Sequence, residues 1–222
     1  MPRKELVSAL DLEAERAILN GHLPDEMAKD WYKLGSVTTD TVRGLLAVVP
    51  KKIVSNKVQS AKAAGLVPIV VDVEALALWN AYWLLVGSEG SKSETVLLAN
   101  IGAQTTNLII AKEPDELILV RDIERGKESS ESSERSDLVS EIHDSLIYAR
   151  SKFGLRTLDR VYVTGGESSP EMVSSLKSLV RVPIALWNPF DYIKRDPFCA
   201  ALDHFQGPLF AVAIGLALRR PS

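Results

Sequence analysis

Two short stretches carry residue types suited to holding a phosphate or a sugar. The first is Leu97-Leu98-Ala99-Asn100-Ile101-Gly102-Ala103-Gln104-Thr105-Thr106-Asn107-Leu108 with Ile109-Ile110-Ala111 behind it. It reads as a buried strand, a two-residue turn at Gly102-Ala103 and a strand folding back beside the first. Small side chains at such a turn leave backbone N–H groups pointing into open space, the chemistry of a phosphate-cradling loop. An ordinary glycine-containing hairpin has the same letters. The second stretch is the strand Arg160–Thr164 running into Gly165-Gly166-Glu167-Ser168-Ser169, with Pro170 opening a helix to about Val180. Any tight βα turn uses the same residues. Asn100 closes the first strand, and Glu74 opens a helix, where a carboxylate also simply favours the helix dipole. His22, His143 and His204 are far apart, and Cys199 is the only cysteine. No catalytic residue and no metal-ligating spacing therefore stands out.

The elements that must position these turns follow from periodicity. Leu6, Leu10, Ala14, Ala17 and Ile18 make a helical stripe over Pro2–Ile18. Strands are expected over Asp30–Val37 and Val42–Val49, then a helix opened by Pro50 and stopped by Gly65, then a strand over Leu66–Val73. Glu74–Val86 is a helix with few polar positions, packed on most sides, and Gly87–Ser93 is the exposed connector chosen as a domain boundary. Three strands in meander follow: Thr95–Asn100, Thr105–Ala111 and Leu117–Ile123. Gly126–Ser136 has no apolar residue and is expected to be a flexible loop. Asp137–Phe153 is a long helix on a sheet, Val182–Leu186 a strand, Asn188-Pro189-Phe190-Asp191 a turn, and Gly207–Leu218 a closing helix, apolar all round and placed inside. Trp79, Trp83 and Trp187 belong in cores, while Trp31 on an early strand is open to a partner.

Composition narrows the function. A chain of 222 residues buries roughly 70 to 75 % of its unfolded surface. Net charge is -3 with both signs mixed along the chain, so no basic field favours nucleic acid or an acidic membrane surface. One cysteine fits a reducing compartment. The start is charged from Arg3, without a signal-like apolar region, and the run Pro208–Leu218 is about half of what spans a bilayer. No membrane span is expected.

The order of Val70-Val71-Asp72-Val73-Glu74-Ala75-Leu76-Ala77, the Leu98–Leu108 hairpin, Arg121-Asp122-Ile123, Val163-Thr164-Gly165-Gly166, Asn188-Pro189-Phe190 and Gly207–Leu218 resembles the PilM family. Met1–Ile18 resembles the family's helix that precedes its small accessory subdomain, and Val49–Leu66 resembles the next helix, so the match covers nearly the whole chain. The family comprises actin-like cytoplasmic components of type IV pilus assembly machines, related to the cell-division protein FtsA. The resemblance implies an α/β, actin-like (ribonuclease H-like) ATPase fold. Residues 1–88 would be the accessory subdomain plus interdomain helix, and 89–222 the second domain with its closing connector helix. It places the family's first phosphate loop before the start of this sequence, and Gly126–Ser136 where the family has a helical subdomain.

By that resemblance the nucleotide site would be vestigial: Asn100, Gly102, Ala103, Gln104 and Thr105 in the second phosphate loop, Gly165, Gly166 and Glu167 at the adenosine-contacting turn, and Glu74 at the first connector. In actin-like ATPases a carboxylate at the position of Asn100 holds magnesium through water, and a neutral amide lacks that charge. Losing one electrostatic donor to a transferring phosphoryl group costs about a hundredfold or more in rate. No ATPase activity and no cofactor are expected; ATP with magnesium is the alternative. The implied function is a scaffold at the inner face of the inner membrane that docks the cytoplasmic tail of a PilN-like protein, with the pilus motor ATPase, a second copy or a complementing chain as further partners. An ATP-binding actin-like ATPase and a secretion-system platform protein are the competing functions.

Overall fold

A computed structural model describes residues 8, 9, 12, 26–36, 42–87, 94–112, 116–124, 131–194 and 206–219. They fall into two compact units that divide the chain between Val73 and Glu74. The opening helix expected over Pro2–Ile18 lies outside the described residues except at positions 8, 9 and 12, which are helical. So do the connector at 88–93, residues 126–130 of the polar loop, His22, Cys199 and His204.

In the first unit, β1 (Met27–Ser36) and β2 (Val42–Pro50) pair antiparallel from Met27↔Pro50 to Ser36↔Val42, with an irregularity between Lys33 and Gly35. Trp31 is half-buried on β1, whereas Tyr32 is exposed. Pro50 fixes the entry to α1 (Lys51–Ala63), and Gly65, at φ 77, ends it as Leu66 N donates to Ala61 O at 3.0 Å. No residue of α1 is buried, and among the described residues the hydrophobic core begins only at Ala75. The strand expected over Leu66–Val73 is a correction: residues 66–73 are neither helical, paired, turned nor bent. Their β-branched composition suits a strand, but strand structure needs a neighbour's hydrogen bonds, and none of the described strands pairs with them.

The second unit is a five-stranded sheet in the order β5-β4-β3-β6-β7, built from β3 (Thr95–Ile101), β4 (Thr105–Lys112), β5 (Glu116–Glu124), β6 (Arg160–Thr164) and β7 (Ile184–Leu186). The β3–β4–β5 meander is antiparallel, and β6 and β7 extend it in parallel. Alternation then assigns the faces. Leu97, Ala99 and Ile101 of β3 with Leu108 and Ile110 of β4 pack on Leu138, Ile142, Leu146 and Ala149 of α3 (Glu131–Phe153) and on Met172 and Leu176 of α4 (Pro170–Lys177). Arg121 of β5 ties α3 to this face, donating to Glu141 Oε2 at 2.6 Å and Ser145 Oγ at 2.8 Å. On the opposite face lies α2 (Glu74–Leu85), whose Tyr82 meets Tyr162 at 5.1 Å and Trp187 edge-on at 5.9 Å between ring centres. Beside it runs α5 (Ala211–Leu218), where Gly215 lies directly on the Ala77 carbonyl.

Three expectations change. α3 starts at Glu131, so Glu131–Ser136 is helix rather than flexible loop. No glycine or proline interrupts this stretch, and a helix already anchored downstream by Leu138 and Ile142 propagates at little cost. The closing segment is not wholly inside: Gly207–Phe210 is a 3-10 turn, α5 buries only Ala211 and Gly215, and Leu209 and Leu216 are exposed. It packs one face on α2 and offers the other to solvent. The division also differs from the boundary after residue 88, because α2 makes its buried contacts with the second unit's sheet and with α5.

The Gly215 contact is testable. Ala has the better helix propensity by about 1 kcal/mol, but a β-carbon at 215 collides with backbone rather than with a yielding side chain. Gly215→Ala is expected to destabilise the protein by about 1 to 2 kcal/mol net, read as a lowered urea midpoint at unchanged slope.

Candidate functional site

The sequence-expected phosphate and sugar turns meet at the C-terminal ends of β3 and β6, neighbours in the sheet with Asn100 opposite Thr164. Gly165 adopts φ 98, a conformation glycine accepts and L side chains rarely do. A β-carbon there would collide with Ile101 O and lie 2.7 Å from both Ile101 N and Asn100 Oδ1. The bond from Glu167 N to Ile101 O, 2.9 Å, fastens the β6 turn onto the end of β3. Pro208 closes the group from behind, its carbonyl accepting from Gly165 N and Thr164 Oγ1, both at 3.2 Å. Asn188 sits against Gly207 and accepts from Phe190 N at 3.0 Å.

The hairpin register is shifted from the sequence expectation. Gly102 N donates to Thr105 O at 3.0 Å and Ile101 pairs with Thr106, so the two-residue loop is Ala103-Gln104 and Gly102 flanks it. A turn centred on Gly102-Ala103 would have set Asn100 opposite Thr105; instead Asn100 faces Asn107, and Asn107 faces Asp122. The three side chains form a ladder. Asn100 Nδ2 donates to Asn107 Oδ1 and Asn107 Nδ2 to Asp122 Oδ1, each at 2.8 Å. Asn107 is buried, Asn100 half-buried and Asp122 exposed, so the ladder runs from the sheet interior to water. Asn107 and Asp122 were not singled out from sequence. Their signal was one amide or carboxylate at the same level of three neighbouring strands, readable only with the right register.

Each expected residue can now be placed. Asn100, Gly102 and Gly165 lie within the joined turns; Ala103, Gln104, Thr105, Gly166 and Glu167 are on its rim, all exposed. Glu74 is exposed at the start of α2, and the hydrogen bonds that hold the group together do not include it. The remaining donors decide what the rim can grip. Gly102, Gly165, Glu167 and Ser168 N–H groups are all engaged within the protein. Ala103, Gln104 and Gly166 are left without a hydrogen bond to another described residue. Three amides suit an anion's oxygen, but Asn100 at the end of β3 carries a neutral amide whose donor goes to Asn107 and whose oxygen lies against Gly165. Among the described residues no group of three or more His, Cys, Asp or Glu side chains could hold a metal ion, and no helix is long and apolar enough to cross a membrane.

A family model described as type IV pilus assembly protein PilM matches residues 2–133. Among solved structures, a PilM-PilN type IV pilus biogenesis complex superposes with a TM-score of 0.74 at 25% identity, over 98% of this chain and 73% of that one. A Bacteroides thetaiotaomicron protein with an actin-like ATPase fold matches with a TM-score of 0.46 at 11% identity, over 78% of this chain and 59% of that one. The archaeal actin homologue Ta0583 matches with 0.44 at 9%, over 85% and 62%.

Two substitutions probe the junction. Gly165→Ala introduces both strain and a backbone clash and is expected to cost about 2 to 3 kcal/mol. Asn107→Ala strands the Asn100 donor and removes the Asp122 contact, an expected cost of about 1 to 3 kcal/mol. In a double-mutant cycle with Asn100→Ala, measured by urea unfolding, the two losses should fall clearly short of adding.

Proposed function

The chain belongs to the PilM family of type IV pilus assembly proteins, and from that premise we propose that it is a scaffold of the assembly machine rather than an ATPase. In this proposal it works in the cytoplasm at the inner face of the inner membrane and docks the cytoplasmic tail of a PilN-like protein. The likeness to the PilM of a PilM-PilN complex supports the partner. The observation that carries the loss of hydrolysis is at Asn100. A magnesium-bound triphosphate needs negative ligands for the metal and a dense set of donors for the phosphates. Here a neutral side chain stands at the turn, committed to the amide ladder, and four nearby N–H groups are already used inside the protein.

Vestigial nucleotide binding is the second reading, favoured by the direct fastening of the two glycine turns to each other. Ala103, Gln104 and Gly166 would be its phosphate contacts, with no magnesium held.

Calorimetry separates the proposals. Titration with the N-terminal tail peptide of a PilN-like protein is expected to give a 1:1 complex with a dissociation constant of about 1 to 100 μM, roughly -8 to -5.5 kcal/mol. No heat and no competition at millimolar peptide would overturn the docking role. Titration with ATP and magnesium is expected to give no turnover and no gain in affinity from the metal. Tight, magnesium-dependent binding with turnover abolished by Glu74→Ala would replace the scaffold by an ATPase.

A further inference from the structure

The signs of charge that mix over the whole chain separate in one place. Between Asp40 and Asp72 there is no aspartate or glutamate, the longest such stretch in the sequence, while Arg43, Lys51, Lys52, Lys57 and Lys62 fall within it. Four of these five cations are on α1, and all four are exposed. Unlike an apolar face, a charged one needs no cover to be stable in water.

Helical spacing sorts the four. Val54, Val58 and Ala61, at i, i+4 and i+7, are the only half-buried residues of α1 and mark the side that packs. Lys51, Ser55, Gln59 and Lys62 run along one flank for about three turns, and Gln59 Nε2 donates to Ser55 Oγ at 3.5 Å between the two lysines. Lys52 stands beside Lys51 on the outward side of that row, whereas Lys57, on the turn between, faces the other flank. Lys51 and Lys52 also occupy the first turn, at the positive end of the helix dipole, and no acidic residue shares that turn. Two cations there weaken a helix. A local rule broken twice at one spot points to a use for the charge rather than to a need of the fold.

We propose that Lys51, Lys52 and Lys62 contact the anionic surface of a lipid bilayer, with α1 lying along it by this flank. Three features favour a bilayer over other polyanions. The cations are all lysine, point charges suited to a diffuse field, whereas paired recognition of nucleic-acid phosphates favours the arginine fork. No aromatic residue interleaves with them to stack on bases. The row lies on a convex helix surface whose other members, Ser55 and Gln59, are polar, which fits a flat layer of headgroups better than an acidic peptide anchored by apolar side chains. Each lysine near such a surface raises partitioning about fivefold, so three can orient a protein but need a second anchor to hold it. The docked tail of the proposed function supplies such an anchor, and to this extent the inference rests on that reading.

The test is flotation of the 222-residue chain with vesicles of phosphatidylglycerol and phosphatidylcholine, without any tail peptide, so that its failure and that of tail docking are separate results. The chain should float with these vesicles at about 50 mM salt, less at about 300 mM, and not with phosphatidylcholine alone. Lys51→Gln, Lys52→Gln and Lys62→Gln together should lower the partition coefficient at least about tenfold and leave the urea midpoint level or higher, since they relieve the helix dipole. Lys57→Gln alone should change it less than about twofold, and so should Lys112→Gln, Lys152→Gln and Lys177→Gln together, which remove equal charge from exposed positions of the second unit. No flotation, or equal loss in the two triple variants, would overturn the proposal. So would a DNA duplex or a glutamate-rich peptide that strips the chain from the vesicles at equal charge, because the lysines would then serve a polyanion of that kind.

Discussion

The second unit depends on a place where a side chain is forbidden. At Gly165 the βα turn lies on the backbone of β3, and any β-carbon would meet Ile101 and Asn100. Because the approach is that close, Glu167 N reaches Ile101 O and Pro208 O reaches Gly165 N. Parallel strands so joined have their C-terminal ends held at one level, the place where open α/β sheets bind ligands. The position of a site is therefore a consequence of the fold, whether or not a ligand uses it.

Fastening the mouth has a chemical consequence. The same N–H groups cannot both brace the turn and receive a phosphate. In this chain Gly102, Gly165, Glu167 and Ser168 brace it, and Asn100, Asn107 and Asp122 brace the strands below. Each bond made inside the protein removes one donor from the rim and raises the rigidity of what remains. The donors that brace the turn and those left at the rim, Ala103, Gln104 and Gly166, are therefore different groups.

How much of this could be read in the letters depends on how local the cause is. The alternation Leu97, Ala99, Ile101 and the helical stripe Leu138, Ile142, Leu146, Ala149 announced both sides of the core, because burial on one face writes a period into the sequence. The strand-turn-helix at Gly165 was equally plain, and Ser169 does cap the helix, accepting from Met172 N at 3.3 Å. The hairpin register was not. Gly102 suggested a turn centred on itself, and a one-residue shift moved the partner of Asn100 from Thr105 to Asn107. That choice is made by the apolar pairs and the amide ladder along the whole hairpin, not by the turn. The closing helix failed for a related reason: composition reports that Leu209 and Leu216 are apolar, but only the presence of a neighbour decides whether they are buried.

The same distinction separates the two units. The second supplies its own neighbours: every apolar face of β3 and β4 meets a helix, and the largest side chains there are fully buried. In the first, the described residues provide a two-stranded hairpin, a helix without a buried residue and helical positions 8, 9 and 12, none of them in the hydrophobic core. Two strands alone are marginal in water, and three or more with a covered face are needed for independent stability. Residues 66–71 have the composition of that third strand and lack the pairing.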